Sequence, residues 1–195
     1  MAYNRFKWSL QFPILVIDTE TTGLIPFKHE VISIGYAMVD KSETGEYTIT
    51  SSDEIRCHPK RPEDATEKAL EINGYTLEKW DSLGAISVEE ASEKITSLME
   101  QYQTAYWRAG FDFPMLLGFI SQNGTLEQMN KTRDANKILD IPCLLPPAHF
   151  GMALKNAVKL YGKPNENPHC AKDDAIAAAN VLITLLKMRE KEGLL

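Results

Sequence analysis

Residues 12–24 read FPILVIDTETTGL, an apolar run that ends in two acids and a turn-forming Thr-Thr-Gly. The apolar half predicts a strand that is buried on both faces. Because side chains alternate along a strand, Asp18 and Glu20 project from the same face, with Cα atoms about 6.6 Å apart. Two like charges held so close are unfavourable unless a proton or a cation neutralises them. The pair therefore indicates a divalent metal ion, and hard carboxylate oxygens suit Mg²⁺ or Mn²⁺. A core strand followed by a polar turn is the simpler alternative.

The composition is that of an ordinary soluble globular protein, and the length suits one domain over residues 1–195. Of the 195 residues, 44% are hydrophobic and 25% are charged, which suffices for a proper core. No apolar run reaches the ~20 residues of a membrane span, and no signal peptide precedes Asp18. Three widely spaced cysteines argue against a disulfide framework or a zinc site. We therefore expect a cytoplasmic protein with no membrane partner.

The net charge of −6 argues against a protein that coats nucleic acid, since such proteins carry a basic surface. It does not exclude an enzyme with a local basic groove, because metal ions offset the acids of their own site.

The rest of the chain predicts an α/β fold, a mixed sheet flanked by helices. Residues 31–39 and 47–58 are expected to form two strands that continue the first into an antiparallel meander. Two shorter strands are expected at 104–107 and 138–141. Five helices are expected. One covers 63–72, a second begins at the Ser87 capping box, and the others cover 112 to about 123, 153–161 and 170–191.

The last helix distinguishes between its two neighbouring acids. A helical stripe of small and apolar residues contains Asp174, whereas Asp173 falls on a more polar face. Asp174 is therefore predicted to point inward, where an unpaired carboxylate is costly. A buried acid bonded to a backbone N–H is one explanation. A third metal ligand beside Asp18 and Glu20 is the better one.

Two further residues are candidates for the site. His169 stands at the start of the last helix, where the helix dipole disfavours the imidazolium and leaves a ring that can accept a proton; a capping or surface histidine is the alternative. Asp112 follows Trp107, Arg108 and Gly110 at a strand-to-helix junction, and taken alone it would be an N-cap.

Taken together, residues 18–24 (DTETTGL), 109–112 (AGFD) and 169–175 (HCAKDDA) resemble the three motifs of the DEDDh, or DnaQ-like, 3′→5′ exonucleases. That family includes the epsilon subunit of bacterial DNA polymerase III and ribonuclease T. The motifs stand in the family's order and span most of the chain. The resemblance implies a ribonuclease-H-like fold, a five-stranded mixed sheet with three antiparallel strands first.

The resemblance also implies a two-metal hydrolysis of phosphodiester bonds that releases nucleoside 5′-monophosphates from a 3′ end. The implied metal ligands are Asp18, Glu20, Asp112 and Asp174, which would hold two Mg²⁺ or Mn²⁺ ions. His169, the fifth catalytic residue, would be the general base.

Substrate contacts are implied for a second set of residues. Its members are Thr19, Thr21, Gly23, Leu24, Arg108 and Phe111. Arg108 departs from the family, which often has Asn there, so any substrate preference taken from relatives is in doubt. Arg108, Lys155, Lys159 and Lys172 are candidate phosphate contacts, although solvated surface cations are the ordinary alternative.

The partner is expected to be nucleic acid with a free 3′ end, single-stranded, with DNA favoured over RNA. Because only about twenty residues follow Asp174, a free-standing enzyme is favoured over a tethered polymerase subunit. A homodimer and a polymerase or repair partner stay open. The alternative function is a catalytically weak, proofreading-like module that docks on a polymerase or another replication or repair protein.

Overall fold

The computed structural model describes residues 10–133 and 137–195. The described strands form one five-stranded sheet with the order β3-β2-β1-β4-β5. The strands are β1 Ile14–Thr21, β2 Val31–Lys41, β3 Tyr47–Arg56, β4 Gln103–Tyr106 and β5 Ile138–Asp140. The first three pair antiparallel, and β4 and β5 run parallel to β1. The predicted five-stranded mixed sheet is confirmed.

Seven α-helices accompany the sheet within the described ranges. They are α1 Glu67–Asn73, α2 Leu77–Ser82, α3 Val88–Gln101, α4 Ala109–Asn123, α5 Leu126–Thr132, α6 Leu154–Tyr161 and α7 Ala171–Lys191. The single helix expected over 63–72 is instead a 3₁₀ turn, Pro62–Asp64, followed by α1. The short helices α2 and α5 were not predicted.

The sheet separates two apolar layers. On one face, Ile14 and Val16 of β1 pack with residues of α6 and α7. On the other face, Leu15 and Ile17 pack with residues of α3 and α4. Both faces of β1 are therefore buried, as the continuous apolar run predicted. This central position directs the acids at the end of β1 toward one helical layer and the intervening threonine toward the other.

The start of α3 follows from local capping. The Ser87 hydroxyl accepts a hydrogen bond from the Glu90 N–H (3.1 Å) at the start of α3, as the sequence predicted.

Among the residues that the structure describes, no helix has the length and apolar character that crossing a membrane requires.

Candidate active site

Strand β1 presents its acids to α7. Asp18 and Glu20 continue the face of Ile14 and Val16, which packs with α7, whereas Thr19 continues the face that packs with α4. The alternation that the sequence predicted is therefore the observed one.

Asp174 lies in the first turn of α7 and faces the end of β1. The predicted apolar stripe of the helix is buried, from Ala171 to Leu185. The Asp174 carboxylate accepts a hydrogen bond from the backbone N–H of His169 at Oδ2 (2.9 Å). Its Oδ1 accepts another from the side-chain amide of Asn165 (2.5 Å). Asp174 is thus turned into the cleft, as predicted, and held by the segment that precedes its helix.

His169 stands beside Asp174 and Glu20. One potential ligand atom from each of the three residues lies within 4.8 Å of the others. His169 has a left-handed backbone with φ 68°, which is uncommon for a residue other than glycine. The ring is exposed at the mouth of the cleft, where it is accessible to a solvent molecule or a substrate.

Asp112 reaches the site from the opposite helical layer. Helix α4 begins at Ala109 with Arg108 as its N-cap, so Asp112 lies inside the first turn and is not the N-cap that it would be if considered alone. The side chain is buried, with 4% of its surface exposed. Its Oδ1 accepts a 2.7 Å hydrogen bond from the Thr19 hydroxyl. The contact joins α4 directly to β1 between Asp18 and Glu20.

The close acids raise one another's affinity for protons. Burial first, and then the charges of Asp112, Asp174 and Glu20, raise the pKa of Asp18 well above its usual range. Burial and the charge of Asp174 raise the pKa of Glu20 to about 8.

The pKa values of Asp112 and Asp174 are raised as well. Burial raises the pKa of Asp112 to about 6, against the lowering effect of the Thr19 hydrogen bond. Burial also raises the pKa of Asp174, against the hydrogen bond from His169. The site therefore holds more negative charge than it can keep without a proton or a cation.

Within the described ranges, Asp18 and Glu20 have no compensating partner of their own. Among residues 10–133 and 137–195, no group donates a hydrogen bond to either carboxylate, and no Lys or Arg forms an ion pair with one. Half-buried acids without donors, beside a third acid and an imidazole, are a donor set that fits a divalent cation. This donor set supports the predicted metal site.

The acids lie in a cleft of about 960 Å³. Arg108, the N-cap of α4, and Phe111 of α4 line it, as do Lys155, Val158 and Lys159 of α6. Within the described ranges, neither lysine nor Arg108 forms an ion pair with an acid, although the Arg108 charge lowers the pKa of Asp112 from a longer distance. The acidic centre is therefore bordered by cations and by apolar side chains.

The remaining predicted substrate contacts lie around the end of β1. Thr19 lines the cleft, but its hydroxyl is used on Asp112. The Thr21 hydroxyl donates to the Gly23 carbonyl (2.7 Å). Leu24 is 77% exposed beside them. Gly23 packs against the His29 ring so closely that a Cβ atom would overlap it. Thr21, Gly23 and Leu24 are not among the residues that line the cleft, and the contacts of all four residues with a substrate stay predictions.

Two other residues from the sequence analysis lie beside the site. Trp107 is buried, with 5% of its surface exposed, so it is a core residue. Lys172 does not line the cleft, so it is a weaker phosphate contact than the two lysines of α6.

Sequence reasoning missed two polar residues next to the site. Asn165 lies in the segment between the predicted helices 153–161 and 170–191, and no motif in the sequence points to its contact with Asp174. Glu54 of β3 accepts a hydrogen bond from the Ser33 hydroxyl (2.5 Å), and it pairs with Arg56. Its charge contributes to the raised pKa values of Asp18 and Glu20. Nothing in the local sequence marks Glu54, because its approach depends on strand pairing.

Solved exonucleases share this fold. Exonuclease I of E. coli in its zinc-bound complex with single-stranded DNA superposes with a TM-score of 0.71 at 17% identity, over 93% of this chain and 41% of that one. The nuclease domain of 3′hExo, described as a DEDDh family member bound to rAMP, superposes with a TM-score of 0.68 at 19% identity, over 92% and 95% of the two chains. At these identities the likeness shows the ribonuclease-H-like fold.

Polymerase sequences also match. The PolC-type DNA polymerases III of Thermotoga maritima and Thermotoga petrophila are each 26% identical to this chain over 180 residues. The match takes in 92% of this chain but only 12% of each polymerase. This chain thus corresponds to a small part of those proteins.

The family is shown by a broader match. The family model described as RNase_T, exonuclease, matches residues 15–182, which include all five predicted catalytic residues. The fold and the site define a DEDDh-type, DnaQ-like exonuclease domain. The chain belongs to the RNase T exonuclease family. The predicted resemblance is confirmed, and with it membership of an exonuclease family; that a single such domain spans 1–195 stays a prediction.

Proposed function

We propose that this protein hydrolyses the terminal phosphodiester bond at the 3′ end of a nucleic acid strand and releases nucleoside 5′-monophosphates. The observation that carries the proposal is that Asp18, Glu20, Asp112 and Asp174 all line one cleft, and that no Lys or Arg among residues 10–133 and 137–195 forms an ion pair with Asp18 or Glu20. A binding module would have no use for acids that repel one another at such cost.

The metal requirement follows from the same acids. Asp18, Glu20, Asp112 and Asp174 would hold two Mg²⁺ or Mn²⁺ ions. When bound, such ions make water a better nucleophile and stabilise the charge on the leaving oxygen. Asp112 and Asp174 are already oriented by the hydrogen bonds from Thr19 and from Asn165 and His169.

His169 is suited to remove the proton of the attacking water. The ring is exposed at the mouth of the cleft beside Glu20 and Asp174. The water oxygen forms a bond to phosphorus as the bond from phosphorus to the 3′ oxygen breaks. The proton passes to the His169 ring, and the nucleotide leaves with a 5′ phosphate. The leaving 3′ oxygen takes a proton from solvent, so the shortened strand ends in a 3′ hydroxyl.

The walls of the cleft suit an unpaired strand. Lys155 and Lys159 stand one turn apart on α6, and Arg108, the N-cap of α4, lines the same cleft. Cations can follow the phosphates while apolar groups such as Phe111, Val158 and the exposed Leu24 contact bases. The solved complexes of E. coli exonuclease I contain single-stranded DNA, which supports the same substrate class here, with DNA favoured over RNA.

A second candidate function has one observation in its favour. The match to PolC-type polymerases supports a proofreading-like module that associates with a polymerase and has weak activity alone. A stoichiometric polymerase partner on co-purification, with no turnover in Mn²⁺, is the result expected for it. The three free cysteines, Cys57, Cys143 and Cys170, support a reducing, cytoplasmic location for either function.

The experiment compares 3′-labelled and 5′-labelled single-stranded DNA, duplex DNA and RNA, each with Mg²⁺, Mn²⁺ or EDTA. We expect labelled mononucleotide as the first product from the 3′ label only, fastest on single-stranded DNA and absent in EDTA. Mononucleotide from the 5′ label as the first product, or a rate that EDTA leaves unchanged, contradicts the proposal.

A further inference from the structure

The segment between α6 and α7 is bonded to the site through a residue with no assigned role. Asn165 donates its side-chain amide to Asp174 Oδ1 (2.5 Å), and its own Oδ1 accepts the backbone N–H of Asn167 (3.1 Å). Further along the segment, the His169 N–H donates to Asp174 Oδ2 (2.9 Å). Each oxygen of one carboxylate is thus bonded to a different residue of the segment that carries His169.

We propose that Asn165 is a positioning residue that fixes the orientation of the Asp174 carboxylate and, through it, the backbone of His169. The inference rests on the proposed function, in which Asp174 holds a metal ion. A carboxylate bonded at one oxygen only can rotate about its Cβ–Cγ bond, whereas donors on both oxygens define its plane. That plane determines which lone pairs remain directed toward Glu20 and the space between the acids.

The backbone at His169 needs this support. A left-handed conformation, with φ 68° here, is strained for a residue other than glycine. It persists where surrounding contacts enforce it. The hydrogen bond from His169 to Asp174 is one such contact, and it depends on Asp174 facing the segment. Asn165 bonds the other oxygen of the Asp174 carboxylate and keeps that carboxylate turned toward the segment. Asn165 therefore acts on both Asp174 and His169.

Asn167 provides a matched control within the same segment. Its side-chain amide donates to Asp173 Oδ2 (3.0 Å). Asn167, like Asn165, thus donates an amide N–H to an aspartate of α7. Its acceptor, Asp173, is the sequence neighbour of Asp174. Asp173 does not line the cleft. If the two asparagines only order the segment, removing either amide should have the same effect on the site.

The experiment measures Mn²⁺ affinity by calorimetry on the full chain, together with kcat and KM on a single-stranded oligonucleotide. We expect Asn165→Ala to weaken Mn²⁺ binding about 10–100-fold, as loss of a hydrogen bond to a metal-ligating carboxylate does. We also expect it to lower kcat more than it raises KM. Asn167→Ala should bind Mn²⁺ within about twofold of the wild type, because the backbone N–H that contacts Asn165 is retained.

A second variant covers the case in which Asn165→Ala fails to fold. In Asn165→Ser the hydroxyl can still accept the N–H two residues later, but it is too short to reach Asp174. The same weakening of Mn²⁺ binding is expected. Wild-type Mn²⁺ affinity in both Asn165 variants, or an equal loss in Asn167→Ala, overturns the inference.

The wild type separates this inference from the proposed function. If the wild type binds Mn²⁺ without cleaving any strand, the proposed function fails, and the affinity series still tests the role of Asn165. If the wild type cleaves strands and Asn165→Ala binds Mn²⁺ normally, only the positioning role fails. A wild type that binds no Mn²⁺ overturns both.

Discussion

Gly35 of β2 lies directly beneath Ala171, the first residue of α7, so that a Cβ atom on Gly35 would overlap the Ala171 backbone. Gly35 is also the strand partner of Asp18. The missing side chain therefore lets the start of α7 approach the sheet beside Asp18. Asp174, one turn further along α7, comes close to β1 for this reason.

Gly35→Ala is expected to destabilise the protein by about 1–3 kcal/mol or more, because the added methyl group forces helix and strand apart. It should also weaken Mn²⁺ binding, since Asp174 moves with the helix. Urea unfolding and calorimetry measure the two effects. Gly110→Ala is the control: nothing lies within 4 Å of its added Cβ, so stability should stay equal or rise by up to about 1 kcal/mol. Equal stabilities for the two variants would contradict this role of Gly35.

The metal-free protein should lose stability as pH rises. Burial and the Asp174 charge raise the pKa of Glu20 from 4.5 to about 8, so the folded state keeps a proton that the unfolded chain releases at lower pH. The stabilisation from this proton is complete below pH 4.5 and is lost as pH rises through about 8. The raised pKa values of Asp18, Asp112 and Asp174 act in the same direction.

Thermal unfolding in EDTA from pH 5 to 8 tests this dependence. We expect the melting temperature to fall along the series and Mn²⁺ to restore it, most strongly at high pH. Glu20→Gln should raise the melting temperature of the metal-free protein at pH 8 by roughly 2–4 °C, which corresponds to about 1 kcal/mol. A melting temperature that rises with pH, unaffected by this substitution, is the contrary result.

Thr19→Val should change the pH dependence of the site. The Thr19 hydroxyl donates to Asp112 and thereby lowers the pKa of an acid that burial raises to about 6. Without that donor the pKa of Asp112 rises. The acidic limb of the pH profiles for metal binding and for turnover should therefore shift upward by about one pH unit. Thr184→Val removes a hydroxyl bonded to Asn180 O on α7 and should leave the limb unmoved. A shared profile for both variants and the wild type argues against coupling between Thr19 and Asp112.

His169→Ala separates proton transfer from metal binding. A general base contributes about 10²–10⁴-fold to the rate, so kcat should fall by that factor, while Mn²⁺ affinity changes by no more than a few-fold. His58→Ala serves as control, since His58 contacts Tyr75 and Asp81 and does not line the cleft. If Mn²⁺ binding collapses in His169→Ala, the ring is a metal ligand and a different group must take the proton.

The sequence was sufficient for features that follow from side-chain periodicity. Alternation along β1 placed Asp18 and Glu20 on one face, and helical spacing in α7 turned Asp174 inward. Both patterns extend over many residues and leave few alternative arrangements. The sequence also contains a signal for α5, because Thr125 and Gln128 form a capping box of the kind that predicts the start of α3 at Ser87.

Other features depend on contacts between segments distant in the chain. The approach of α7 at Gly35 and the position of Glu54 follow from strand pairing, which no local pattern records. The beginning of α4 at Ala109 could not be predicted, because Asp112 at a strand-to-helix junction is as favourable an N-cap as any. The short helix α2 is stabilised by burial of Trp80, a tertiary effect that overrides its weak local propensity.

The most direct measurement of the central claim compares mononucleotide release from a 3′-labelled single strand by the wild type and by Asp18→Asn, with Mg²⁺ and with Mn²⁺. The substitution keeps the shape of the side chain and removes a charge that the metal-free fold has to neutralise, so the variant should fold at least as stably as the wild type. We expect its rate to fall by about 10²–10³-fold or more with either metal. Mononucleotide release at the wild-type rate by folded Asp18→Asn would contradict the assignment of this site.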